Sequence, residues 1–228
     1  FTTVPASDPS VRYDPVRQFA PVALIATGPL VWVVNANSAA NSLKDFVALS
    51  NAKPGTIAYG SAGAGGVNHL ALESFKNRSG ADILHVPYKG IAPATLDLMS
   101  GQIHALTGTI PAVQQHIKSG KLKALAVLGP TRNALLPDIP SAKEAGFPDV
   151  IAMNYWGIVA PANAPKEIIA KLNAEVQKLL AQSDFRARMD SEGVEITPGG
   201  PERMGTMVSG DFMNWQKLVA VAKIKITP

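Results

Sequence analysis

Cysteine is absent from the 228 residues, which excludes disulfides, thiolate zinc sites and cysteine nucleophiles. Charge is scarce too. Asp, Glu, Lys and Arg make up 17% and leave a net +4, without the dense basic clustering that a nucleic-acid surface requires. The tightest basic group, Lys118, Lys121 and Lys123, straddles an expected helix-to-strand turn and reads as a solvated rim. No run approaches the roughly 18 apolar residues of a membrane span. The opening FTTVPASDPS lacks a charged segment followed by an apolar one, so either the chain is cytoplasmic or a targeting segment lies outside this sequence. At 46% hydrophobic, the chain can bury a sizeable core in one large domain or two small ones.

From Thr56 onward, short β-rich runs alternate with helix-length amphipathic runs, the pattern of βα units on a mostly parallel sheet. Strands are expected at 56–59, 83–86, 103–106 and 122–128. Val67, Leu70, Ala71 and Phe75 recur at helical spacing after the first, and Ala94, Leu96, Leu98 and Met99 crowd a short helix entered through Pro93. Before this block, 21–26 and 30–35 read as two strands, and 42–50 as a helix capped by Ser42 with Asp45 three residues on. After it, 152–160 reads as a long apolar strand containing Tyr155 and Trp156. Two amphipathic helices follow at 165–182, with Ile168, Ile169, Leu172, Val176, Leu179 and Leu180 on one stripe, and at 201–219, with Met204, Met207, Val208, Trp215 and Leu218. The expected organisation is an α/β protein of two lobes with mixed, mostly parallel sheets. A βα lobe at 38–150 is inserted between 1–37 and 151–228, which are parts of a first lobe left incomplete here.

The run GSAGAGG, Gly60 to Gly66, lies between a strand and a helix. Crowded backbone N–H groups and a helix N-terminus at such a junction hold a carboxylate or phosphate, and Ser61 and Asn68 add neutral donors. The plainer alternative is a tight turn that needs glycine only for positive φ. Dinucleotide binding does not fit, because Asn68 stands where G-x-G-x-x-G requires its third glycine, and no Walker lysine follows. The four histidines, His69, His85, His104 and His116, form no nucleophile elbow, zincin motif or helical metal pair. His69, in the first turn, either faces a ligand or bonds nearby backbone; His85 and His116 read as structural. HVPYKG places Tyr88 and Lys89 at a strand's carboxyl end, where open α/β sheets bind ligands. Thr107 and Thr109 occupy the equivalent edge of the next strand, with Thr109 also a candidate cap for the helix entered through Pro111.

With these residues laid out, the chain resembles the substrate-binding proteins of tripartite tricarboxylate transporters, the Bug-type periplasmic solute receptors. The resemblance is carried by YDPVRQFAPVALIA, PGTIAYGSAGAGGVNHLALESFK, HVPYKGIAPATLDLMSGQI, GKLKALAV, LPDIPSAKEAGFP and WGIVAPANAPKEIIAKLN, in that order along the chain. It implies a periplasmic, two-lobed binding-protein fold of type II that closes on an organic anion or amino acid and delivers it to membrane transporter subunits, without cofactor, metal or catalysis. It places ligand contacts in the stretch from Ser61 to Asn68, at Ser61, Ala62, Gly63, Gly65, Gly66 and Asn68. His69, from its place in the first turn, and Tyr88, Lys89, Thr107, Thr109 and Trp156 complete the expected set. Where the family often reads Phe-Asp-Asn, this sequence reads Thr107-Gly108-Thr109, a neutral loop that repels a carboxylate less. Family members usually carry a preceding βαβ region whose first loop contributes from the other lobe. The alternatives are an α/β enzyme using Ser61 or His69 at the same edge, and a ligand-dependent signalling receptor. A β-branched residue at Gly65 or Gly66 is expected to abolish anion capture.

Overall fold

The computed structural model describes residues 1–224; the last four positions of the expected 151–228 segment lie outside them. The chain opens with a short helix, α1 (Thr3–Ser7), and one long strand, β1 (Phe19–Asn35). After α2 (Leu43–Ala52) come three strand-helix pairs: β2 (Ala58–Ser61) with α3 (Val67–Ser79), β3 (Leu84–Pro87) with α4 (Ile91–Ser100), and β4 (Ala105–Thr109) with α5 (Ile110–Lys118). Then follow β5 (Leu122–Val127), β6 (Met153–Pro161), α6 (Lys166–Leu180), α7 (Ser183–Ser191), β7 (Glu195–Gly199) and α8 (Pro201–Ala222).

The two strands expected at 21–26 and 30–35 are one. Thr27-Gly28-Pro29 reads as a breaker in sequence, yet here it marks a change of partners. Leu24, Ala26 and Thr27 pair antiparallel with β7, whereas Leu30 to Val34 pair with β4 and Val31 to Asn35 with β5. Proline, which cannot donate to a ladder, sits between the two sets. The chain also divides there into two units, Phe1–Gly28 with residues 154–224, and Pro29–Met153. The sequence reading placed these divisions at 37/38 and 150/151. The second half of β1 belongs to the inserted unit because β4 and β5 flank it on both sides.

In the inserted unit the strand order is β3-β2-β4-β1-β5. β2 runs parallel to β3 and β4, as βα units require, while β1 is antiparallel to β4 and β5. The sheet is therefore mixed, and its parallel part is the β3-β2-β4 side. Alternate residues of β1 feed opposite cores. Trp32 and Val34 join Phe46, Tyr59, Leu72 and Phe75 beneath α2 and α3, and Val31 and Val33 join Leu98, Leu106 and Val113 beneath α4 and α5. Each fully buried side chain of this size contributes about 1.5–3 kcal/mol. Ser42 sets the start of α2: its Oγ accepts the Asp45 N–H at 3.1 Å, and Asp45 Oδ2 accepts the Asn41 N–H at 3.0 Å.

In the other unit, β6 and β7 both pair with β1, and Leu24 packs with Met204 and Val208 of α8. The stripe of α8 is buried at Met204, Val208 and Trp215. That of α6 is not: only Leu180 is buried, and Ile168, Leu172 and Leu179 are 44–47% exposed. The sequence reading contained no counterpart of α1, α7 or β7, whose short segments carry too few apolar residues for a clear period.

Candidate functional site

Because β2 is parallel to β3 and β4, their carboxyl ends share one edge of the sheet, and α3, α4 and α5 all start there. The N-cap residues are Gly66, Gly90 and Thr109, and none caps its helix with a side chain. The first-turn N–H groups of a helix have no acceptor within it, so three uncapped helix starts leave donors and partial positive charge at one edge. Thr109, the candidate cap, occupies the N-cap with extended backbone, but its hydroxyl does not bond the helix. The segments 60–69, 85–90 and 104–111 contain no carboxylate, and Lys89 is exposed among them. Among the described residues, no cluster of three or more His, Asp or Glu is placed to hold a metal ion.

The glycine loop is held from behind. Ser61 is wholly buried. Its Oγ donates to the Gly63 carbonyl at 3.1 Å, accepts the Gly63 N–H at 3.2 Å and stands 2.6 Å from His85 Nε2. His69 Nδ1 accepts the Gly65 N–H at 3.1 Å. The two imidazoles stack with centroids 3.8 Å apart and planes 6° from parallel. Burial lowers the basicity of His69, with Glu73 opposing and Lys76 reinforcing the effect. His85 is pushed down to about 4, first by burial and then by His69 and Lys76. Gly63 (φ 144°) and Gly65 (φ 74°) need glycine, whereas Gly66 (φ −74°) does not.

The expected site residues therefore divide. Ala62 is exposed, and Gly63, Gly65 and Gly66 form the loop itself. Ser61, Asn68, His69 and Thr107 are buried supports. Asn68 Nδ2 donates to the Thr107 carbonyl at 2.7 Å, and Tyr59 OH pairs with Thr107 Oγ1 at 2.6 Å and donates to the Asn68 carbonyl at 3.0 Å. Burial raises the pKa of Tyr59, which keeps the phenol neutral. Tyr88 is half-buried: its hydroxyl donates to Asp97 Oδ2 at 2.8 Å, and burial followed by Asp97 pushes its pKa up to about 12. The β2–β3 pairing extends into the loops, with Tyr88 N–H on the Ser61 carbonyl and Gly90 N–H on the Ala62 carbonyl. Trp156 lies on β6 in the other unit, 39% exposed, with its ring against Gly28. Sequence reasoning missed His85 as a partner of the loop and Tyr59 as a partner of Asn68 and Thr107. The pairing of β2 with β3 that brings His85 near Ser61 joins strands 26 residues apart, and a sequence carries no such register.

Residues 1–223 match the family described as tripartite tricarboxylate transporter family receptor. The chain is 32% identical over 212 residues to a UPF0065 protein of Pseudomonas and 31% identical over 218 residues to BugT of Bordetella pertussis, covering 92% and 96% of this chain. It spans 63% and 67% of the lengths of those relatives. Among solved structures, a periplasmic transporter superposes with a TM-score of 0.91 at 34% identity, over 98% of this chain and 75% of that one. An R. palustris protein solved with adipate gives 0.86 at 31% identity, over 93% and 71%. MatC from Rhodopseudomonas palustris, solved with bound malate, gives 0.86 at 28% identity, over 96% and 75%.

Proposed function

The chain belongs to the tripartite tricarboxylate transporter receptor family, and on that premise we propose that it is a periplasmic solute receptor. It captures a small carboxylate-bearing metabolite at the helix-starting edge of the inserted unit and presents it to a membrane transporter. The observation that supports this reading is the convergence of three helix N-termini, α3, α4 and α5, none capped by a side chain, on an edge whose loops carry no carboxylate. Backbone donors so arranged suit an anion and do no chemistry on it. The family neighbours solved with adipate and with malate make dicarboxylates the first class to test. Capture is completed by closure of the two units about the crossings at Gly28/Pro29 and Met153/Asn154.

The enzyme reading rests on the 2.6 Å contact between Ser61 Oγ and His85 Nε2. It is the weaker reading, because Ser61 is wholly buried and a histidine pushed down to about 4 is a poor base at neutral pH. Calorimetry of the protein with malate, adipate, a monocarboxylate and an uncharged analogue tests the proposal. Saturable dicarboxylate binding, recovery of the ligand unchanged and a smaller radius of gyration in its presence are expected. Failure of every carboxylate to bind, or turnover of one of them, overturns it.

A further inference from the structure

We propose that His69 and His85 are positioning residues that hold the 60–66 loop in shape as neutral imidazoles, and that the loop, and with it anion capture at α3, is released when His69 is protonated. The inference rests on the binding function proposed above and extends it to regulation of the same site.

The hydrogen bonds determine the tautomers. His69 Nδ1 accepts the Gly65 N–H, so it carries no proton, and the ring's proton sits on Nε2, which faces Glu73 Oε1 at 3.9 Å. Ser61 Oγ has one proton and two lone pairs and three polar neighbours. All three are satisfied together when Oγ donates to the Gly63 carbonyl and accepts both the Gly63 N–H and an Nε2–H from His85. One imidazole thus anchors the Ser61–Gly63 end of the loop, the other anchors Gly65, and the stack joins them.

A second proton on His69 can go only to Nδ1. There it converts the acceptor of the Gly65 N–H into a donor, and two donors face each other across 3.1 Å. The Gly65 peptide must turn away, taking the loop with it. The groups around the pair set the resistance to that proton. Glu73 of α3 faces His69, but its carboxylate is shared with Lys76 of the same helix at 2.9 Å. β3 presents His85 and β2 the neutral Ser61. A charge on either ring disfavours a charge on the other.

The test follows the 15N-labelled protein by NMR from neutral pH down to about 4.5, through the range in which histidines titrate. Long-range imidazole correlations are expected to report Nε2–H on both rings at neutral pH, and the amide resonances of Gly63 and Gly65 to shift with the midpoint of His69. In His69→Asn, Oδ1 stands near the place of Nδ1 and does not titrate, so the Gly65 resonance is kept and its pH dependence disappears. In His69→Leu both glycine resonances move at neutral pH, and malate affinity measured in parallel falls about tenfold. An Nδ1–H tautomer at His69, or glycine amides that stay fixed while His69 titrates, overturns the inference. If acid or His69→Leu unfolds the protein, the tautomer at neutral pH decides. If malate and adipate bind no form while the resonances behave as stated, the proposed ligand class fails and the positioning role stands.

Discussion

Asn68 Nδ2 donates to the Thr107 carbonyl at 2.7 Å, tying the first turn of α3 to the end of β4. Tyr59 closes the group through Thr107 Oγ1 and the Asn68 carbonyl, and all three residues are buried. Thr107→Val keeps the shape and removes the hydroxyl, leaving Tyr59 with one partner instead of two. A loss of about 1–3 kcal/mol is expected, read as a lower urea midpoint at an unchanged slope. An unchanged midpoint would remove this network from any account of how the edge is held.

The loop glycines are expected to respond unequally. Gly65 has φ 74° and is buried, so Gly65→Ala is strained by about 1–2 kcal/mol. Gly66, with φ −74°, offers an added Cβ an extended backbone, and the nearest obstacle is the Gly63 carbonyl oxygen at 3.4 Å. Gly66→Ala should therefore fold and bind close to the parent. The sequence treated the two as equivalent; only Gly65 carries a conformational requirement. Matched denaturation and malate titrations of the two variants check the contrast, and equal losses in both would contradict it.

That pair marks where the sequence stopped being informative. Amphipathic period and the Ser42/Asp45 cap placed α2, α3 and the βα order, because each depends on residues a few positions apart. The register that sets His85 beside Ser61, and the partner exchange that makes β1 one strand through Gly28-Pro29, depend on residues far apart in the chain. The expectation that Ser61, Asn68 and His69 touch the ligand rests on the glycine loop beside them and, for Ser61 and Asn68, on the family resemblance. Their side chains bond His85, Thr107 and the Gly65 N–H, partners that the sequence does not show. Of the donors left at the edge, the exposed Lys89 is legible in the sequence, whereas the backbone N–H groups at the three helix starts are announced by no side chain.

Acid should weaken the fold in a definite window. His85 is pushed down to about 4 from an ordinary 6.5, and His69 is lowered as well. The unfolded chain takes up these protons first, so the stability tied to the neutral pair is complete above about 6.5 and is lost as pH falls towards about 4. His85→Gln retains a donor near the Nε2 position and removes one titration. Its thermal midpoint should consequently fall less than the parent's across that window. Parallel curves for the two proteins would mean that His85 does not contribute to the acid response.

The unit containing β6 offers the last prediction, and it depends on a close approach of backbone to side chain. A Cβ on Gly157 would lie 2.5 Å from Met204 Sδ, 2.6 Å from its Cε and 2.9 Å from the Ala23 carbonyl oxygen. The thioether can swing aside, since methionine has three soft torsions. The carbonyl belongs to β1 and cannot move without disturbing its pairing. Gly157→Ala should thus cost about 1–3 kcal/mol by overpacking. Measured in a Met204→Ala background, the cost of Gly157→Ala should shrink without vanishing, because the Ala23 contact remains. A double-mutant cycle by urea denaturation separates the contributions. No cost of Gly157→Ala in the Met204→Ala background would assign the whole penalty to Met204, and a Gly157→Ala protein as stable as the parent would mean that β6 and β1 do not approach as closely as described.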